Sequence, residues 1–355
     1  MDSHNEVVVS GDTERQFCER AFLAISLPLK DAELIADTLV EADLRGVHSH
    51  GIQIIPRYLR GLKNGINPKP KVRTLVDAGS LAILDGDCGM GQLVSVKAMD
   101  MAIDKARHQG IAAVAVQNSN HLGALAYYGM MAVKENMIGF CTTNAPAIMA
   151  PWGGVTETLG NNPICYTIPT DKGYPIVLDM AVSTAARNKV RMAAAKGEKI
   201  PLDWGLDREG QPTDDPHKAL DGLLTPMSGV KGFGLAVVAE MLTAGLSGGL
   251  IGKNIPRDAI ISPDVLYPVK VSHYFQAIDV KQLVPLEDFK SRTENLIHQV
   301  HESALGKNSS GVFLPGELEF QNREHRLKKG IPISSAVLNS LDKIAEEICI
   351  DKLTR

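Results

Sequence analysis

The hydrophobic period of this chain changes at the segment Gly65-Ile66-Asn67-Pro68-Lys69-Pro70, and that change constrains its fold more than any other feature. From Asp12 to Asn64 the apolar residues recur at helical spacing, with Phe17, Ala21, Phe22 and Ile25 on one face and Ala32, Ile35, Ala36, Leu39 and Val40 on another. Beyond the break, short β-type runs at Leu81–Leu84, Ile111–Val116, Ile138–Thr142, Ile164–Ile168 and Pro175–Leu178 are separated by long loops or by helical stretches such as Leu93–His108 and Leu122–Glu135. Gly232–Gly245 reads as a closely packed helix, Lys270–Asp279 as a strand, and Leu286–Ala304 and Ser335–Ile350 as two further helices. The last of these is expected to fold back on the N-terminal helices. The expected class is therefore α/β, with a sheet domain over 71–285 and a helical lobe built from 1–70 and 286–355.

With 355 residues, 44% of them hydrophobic and 22% charged, the chain has ample material for a large core. A net charge of −4 and dispersed aromatics leave neither a basic stripe nor a stacking platform for nucleic acid. The N-terminus is acidic, no signal-type apolar segment follows it, and no run long enough to span a membrane occurs, so a cytoplasmic protein with no membrane partner is expected. Five scattered cysteines agree with a reducing compartment.

Two histidine-bearing segments carry the chemistry. Asn118-Ser119-Asn120-His121-Leu122-Gly123-Ala124 follows a strand and hands a histidine into small, polar surroundings, where it either caps the next helix or faces a substrate. Arg45-Gly46-Val47-His48-Ser49-His50-Gly51 places two imidazoles around a hydroxyl directly after a helical pattern. Acid/base groups drawn from separate loops are what a fold assembles into a site. His-x-His could also bind zinc, but Cys18, Cys88, Cys141, Cys165 and Cys349 stand singly and no His-Glu-x-x-His occurs, so no metal is expected.

The glycine-rich segments are the places where backbone amides could cradle a phosphate. In Gly86-Asp87-Cys88-Gly89-Met90-Gly91 the third glycine of the dinucleotide fingerprint is replaced by Val94, and a tight turn is the better reading. Ser247–Asn254 lacks the first glycine of a phosphate loop and carries Asn254 in place of its magnesium-binding hydroxyl. Two segments survive. Leu178-Asp179-Met180-Ala181-Val182-Ser183-Thr184 ends a buried strand with an acid and then opens a helix through Ser183 and Thr184, and Gly229-Val230-Lys231-Gly232-Phe233-Gly234 sets a lysine between glycines at a helix start.

Taken in order, these segments resemble the second, non-Rossmann type of the malate/L-lactate dehydrogenase family, which includes ureidoglycolate and sulfolactate dehydrogenases, 2,3-diketo-L-gulonate reductase and cyclic ketimine reductases. The resemblance rests on Ala42-Asp43-x-Arg45-Gly46-Val47-His48-Ser49-His50-Gly51, Asn120-His121-x-Gly123-Ala124, Ala150-Pro151-Trp152-Gly153-Gly154, Gly160-Asn161-Asn162-Pro163, Asp179-Met180-Ala181, Pro212-Thr213-Asp214-Asp215-Pro216, Lys231-Gly232-Phe233-Gly234-Leu235 and Leu314-Pro315-Gly316-Glu317. It implies hydride transfer between NAD or NADP and a small 2-oxo or 2-hydroxy acid, in a homodimer whose site lies at the subunit interface. His121 is implied as the acid/base and His50 as a second proton carrier or orienting group, with Ser49, His48, Arg57 and Asn120 around the substrate. Cofactor contacts are implied for Asn144, Ala145, Asp179, Met180, Ala181, Ser183, Lys231, Gly316, Glu317 and Leu318. Ala145 stands where the family has a serine, and Asn144 is expected to supply the lost hydrogen bond. Ile54 stands where members commonly carry a carboxylate-binding arginine, so either Arg57 takes that role or the substrate is held otherwise. Two alternatives remain at this level: a cyclic ketimine reductase, and a non-catalytic nucleotide-binding regulator on the same scaffold.

Overall fold

The computed structural model describes residues 6–171, 173–256 and 268–354. The N-terminal pattern forms α1 (Gly11–Leu23), started by the Ser10 hydroxyl accepting the Thr13 N–H, then α2 (Leu29–Leu44) and α3 (Ile55–Lys63). Between α2 and α3 lie two single 3-10 turns, His48–His50 and Ile52–Ile54. Phe17, Phe22, Ile35, Leu39 and Ile55 pack into one core with Leu341 and Ile344 of the C-terminal helix. Removing these faces from water is what holds the two ends of the chain together. They are further tied by β1 (Glu6–Val9), which pairs antiparallel with β11 (Ile331–Ser334).

The middle of the chain forms β2 (Arg73–Ala78), β3 (Leu81–Asp85), β4 (Ile111–Ser119), β5 (Met137–Thr143), β6 (Ile164–Ile168), β7 (Ile176–Met180) and, after the small pair β8 (Gly205–Leu206) and β9 (Leu223–Leu224), β10 (Val271–Asp279). Among the described residues the main sheet holds seven strands in the order β2-β3-β4-β10-β5-β6-β7. Only β3 and β4 are parallel, joined through α4 (Gly91–Gln109). The late strand β10 inserts between β4 and β5, antiparallel to both. This is a mixed α/β fold and not a doubly wound Rossmann sheet, which accounts for the missing glycine fingerprint.

Both sheet faces are covered, so the central strands are apolar on both sides. Ala112, Val114 and Val116 of β4 face α4 and α5 (Ala126–Lys134), while Ala113 and Ala115 face the opposite layer. That layer contains α6 (Arg187–Lys196), α7 (Pro216–Asp221) and α8 (Val230–Glu240). After β10 come α9 (Leu286–His301), α10 (Glu317–Lys329) and α11 (Ser335–Glu347). No helix among the described residues is long and apolar enough to cross a membrane.

Several elements differ from the sequence reading. α5 starts at Ala126 instead of Leu122, because Gly123 takes a left-handed φ of 82° and the preceding backbone is drawn into a loop. α8 is packed on one side only. α10 was not expected, since Glu317 is its one buried residue and a charged surface helix has no apolar period to read. The strands β1, β2 and β11 are short or exposed and lack clean alternation.

Candidate functional site

A cleft of about 570 Å³ separates the helical lobe from the sheet. Arg45 and His50 line it from the lobe, Asp179, Met180 and Ala181 from the end of β7, and Gly316 and Leu318 from the start of α10. A Cβ on Gly316 would lie 2.7 Å from Val177, and its φ is 86°, so only glycine lets this loop close against β7. The Asp179 carboxylate accepts the Ala126 N–H at 2.8 Å and faces the cleft. Surrounding protein raises its pKa to about 6, against the pull of the α5 amides. A long groove floored by a strand end and entered by two loops fits an extended dinucleotide, and Asp179, Met180, Ala181, Gly316 and Leu318 would hold it.

At the lobe end of this cleft the two histidine segments meet. The rings of His50 and His121 are stacked, with centroids 5.5 Å apart and planes 16° apart. His50 is the ring on the cleft wall; its Nδ1 lies 2.9 Å from the Ser49 hydroxyl. His121 lies against it, and its Nδ1 bonds the Tyr58 hydroxyl at 2.7 Å and accepts the Gly123 N–H at 3.3 Å. An amide N–H can only donate, so Nδ1 of the neutral ring is an acceptor and the proton sits on Nε2. The edge left to meet a ligand thus carries a donor. Tyr58 is fully buried and burial pushes its phenol pKa up, so it stays a neutral hydroxyl.

Arg57 sets the electrostatics. It is half-buried, and no carboxylate pairs with it among the described residues. Burial, and then its positive charge, lower the His50 pKa to about 4 and hold His121 well below the usual imidazole value. Two neutral imidazoles beside an unpaired guanidinium make a site built to receive an anion. Tyr58 escaped the sequence reading. The only signal for it was its place one residue after Arg57, because its partner His121 lies 63 positions away.

Several expected contacts are engaged elsewhere. His48 points away from the cleft: its Nδ1 bonds Asp43 at 2.5 Å and its Nε2 faces Arg326 at 3.0 Å. Asn120 spends its amide on the Cys88 and Gly89 carbonyls and its Oδ1 on the Val269 N–H, so it staples loops together. Asn144 is saturated by Glu240, the Leu250 carbonyl and the Ser272 N–H, and the Ala145 N–H is taken by Asn162. Asn144 therefore has no group left with which to replace the missing serine. Ser183 donates to the Ala185 carbonyl, and α6 begins only at Arg187. Glu317 turns its carboxylate onto the Leu314 N–H and His301, away from the cleft. Lys231 is solvent-exposed at the start of α8, which docks its first turn on Val182.

Glu240 is the hub that the sequence did not reveal. It is 2% exposed, and its carboxylate accepts from Asn144 at 3.0 Å, Asn162 at 2.8 Å and the Gly252 N–H at 2.9 Å. Glu240→Ala leaves three buried donors unpaired and is expected to lower unfolding stability by about 3–5 kcal/mol. Urea denaturation measures this, and a loss below about 1 kcal/mol would contradict the anchoring role.

The chain matches the malate/L-lactate dehydrogenase family over residues 9–342. It is 39% identical to the malate dehydrogenase of Pyrococcus abyssi, covering 98% of this chain and 97% of that protein. Identity to the L-sulfolactate dehydrogenase of Methanocaldococcus jannaschii is 36%, over 96% of this chain and 97% of that protein. The solved sulfolactate dehydrogenase from Methanocaldococcus jannaschii superposes with a TM-score of 0.90 at 36% identity, covering 97% of this chain and 98% of the other. The solved malate dehydrogenase of Pyrococcus horikoshii gives the same score and identity over 99% of this chain and 98% of its own. The cleft, the fold and these matches agree: the chain belongs to the malate/L-lactate dehydrogenase family of the second, non-Rossmann type, and so to the NAD(P)-dependent dehydrogenases.

Proposed function

We propose that the protein interconverts a 2-oxo acid bearing a second anionic group and its 2-hydroxy acid, as the malate and sulfolactate dehydrogenases it resembles are named for. The observation that carries this reading is the unpaired Arg57 beside His50 and His121. A carboxylate is the natural bidentate partner of a guanidinium. Arg191 of α6 lies near enough for its charge to oppose that of Arg57, and no carboxylate among the described residues pairs with it either. Two guanidiniums close enough to repel each other, neither paired with a carboxylate among the described residues, favour a dianion over a monoanion such as pyruvate.

The nicotinamide nucleotide supplies or takes up the hydride. Negative charge grows on the substrate oxygen during reduction, and the Nε2–H of His121 can stabilise it and pass the proton. A carboxylate on Arg57 cancels the charge that disfavours imidazolium, so the rings hold a proton more readily once substrate is bound. In oxidation Nε2 takes the hydroxyl proton once the ring's own proton has moved to Nδ1, where the Tyr58 oxygen can accept it, so the ring ends as imidazolium. Consumption of reduced cofactor with oxaloacetate, sulfopyruvate, pyruvate and a cyclic imine carboxylate tests the assignment. The dianions should show the highest kcat/KM; preference for the imine would make the protein a ketimine reductase, and cofactor binding without any turnover would make it a regulator.

A homodimer is part of the same reading. Val230, Val237, Val238 and Met241 are 56%, 38%, 55% and 54% exposed along one side of α8, and Gly234 between them has open space around it. The opposite side, Gly232, Ala236 and Ala239, is buried. An apolar stripe with a glycine gap suits close packing against the same helix of a second copy, and it sets Lys231 beside the interface. Val238→Glu should shift the mass measured by sedimentation from two chains to one. A single-chain mass for the unmodified protein would refute the dimer.

A further inference from the structure

Behind the turn that carries His50 lies a buried charged cluster that no step above uses. Asp43 is 1% exposed, and its carboxylate accepts the Ile52 N–H at 2.5 Å and the His48 Nδ1–H at 2.5 Å. His48 must donate there, because its Nε2 faces the Arg326 guanidinium, which is only a donor. Arg326 also donates to the Asp43 carbonyl. A Cβ on Gly51 would fall 1.9 Å from the Asp43 carboxylate, so the turn is wrapped directly around it. Asp43 thus fixes both ends of the segment from His48 to Ile52.

Glu14 of α1 is 0% exposed, and neither of its carboxylate oxygens has a hydrogen-bond donor among the described groups. Its neighbour is the Asp43 carboxylate; the charges that reach it are those of Arg15 on its own helix and Arg326 on α10, with the Cys18 thiol nearby. Two carboxylates in contact inside a protein do not both ionise. Asp43 receives two donors and Glu14 receives none, so the shared proton belongs to Glu14.

We propose that Glu14 is a positioning residue, a neutral carboxylic acid that donates its proton to Asp43 and thereby holds the His48–Ile52 turn, and with it His50, against the cleft. Ionisation of Glu14 would set two buried anions against each other and release the turn. Burial and the Asp43 charge both raise the Glu14 pKa, so the intact state is the protonated one and is lost as pH rises through the raised pKa. His48, Arg15, Arg326 and the Cys18 thiol are the other charged or titratable groups facing the pair.

The consequence for turnover rests on His50 working in the cleft; the protonation state of Glu14 does not. Glu14→Gln keeps a donor toward Asp43 and should retain kcat at neutral pH while losing a reversible alkaline fall in kcat that the unmodified enzyme shows. Glu14→Ala removes the donor and should lower kcat by at least about tenfold, with cofactor Kd unchanged. Infrared difference spectra between the unmodified protein and Glu14→Gln at neutral pH should show one carboxylic-acid carbonyl band lost. Absence of that band overturns the proposal whatever the kinetics. Should Glu14→Ala fail to fold, an alkaline limb identical in Glu14→Gln and the unmodified enzyme overturns it. A band present with no kinetic change leaves Glu14 protonated but removes its link to His50, which also sinks the positioning role.

Discussion

Arg57→Met is expected to raise KM for the 2-oxo acid by on the order of 10²-fold, the loss typical of truncating one partner of a buried charge pair. Methionine keeps the apolar stem of the side chain, so the packing of that stem should survive. The same substitution has a second effect, on pH dependence. In the free enzyme His50 sits at about 4 because of burial and then Arg57, and His121 is depressed for the same two reasons first. A base that must be neutral loses function as pH falls through its pKa, so hydroxy-acid oxidation should hold its kcat/KM down to acidic pH and then decline. Without Arg57 the burial contribution remains, and the acid limb should move upward while staying below the ordinary value of about 6.5. A KM effect with an unmoved limb would mean that Arg57 binds substrate but does not set the proton affinity of the rings. An unchanged KM would remove Arg57 from the site.

His121→Asn should lower kcat by about 10²–10⁴-fold while leaving NADH or NADPH binding nearly intact. Asparagine can still accept from Gly123 and Tyr58, so the loop geometry is preserved and the proton carrier alone is lost. Tyr58→Phe is the companion experiment. It leaves the ring in place but removes the 2.7 Å bond to Nδ1 that holds the proton on Nε2. Its expected cost is smaller, about fivefold in kcat, the size of losing one hydrogen bond of about 1 kcal/mol. If His121→Asn weakens only cofactor affinity, its acid/base assignment is wrong and His50, the ring on the cleft wall, becomes the better candidate.

The elements that the sequence announced are those whose burial follows a period. α1, α2 and α4 each present an apolar stripe, and β4 is apolar throughout because both of its faces are covered. α10 and the short strands left no such trace, since a charged exposed helix and a four-residue edge strand bury too little to shape composition. The insertion of β10 between β4 and β5 was likewise unreadable. Strand order depends on which edges meet after collapse, not on any local pattern.

The candidate site divides along the same line. Residue type and spacing marked His50, His121, Arg57 and Asp179; the fold puts His50 and Asp179 on one cleft, stacks His121 on His50 and brings the Arg57 charge to both rings. The same reasoning marked His48, Asn120, Asn144 and Ser183, whose polar atoms are consumed by loop carbonyls, amides and buried charges. A side chain's capacity to bind a ligand is what its neighbours leave unused, and those neighbours come from distant parts of the chain. By itself, then, the order of residues determined the chemistry available and the family. Tertiary structure alone decided which groups stay free, which tautomer His121 adopts and which charge goes unpaired, because hydrogen-bond saturation and local potential are properties of packed surroundings.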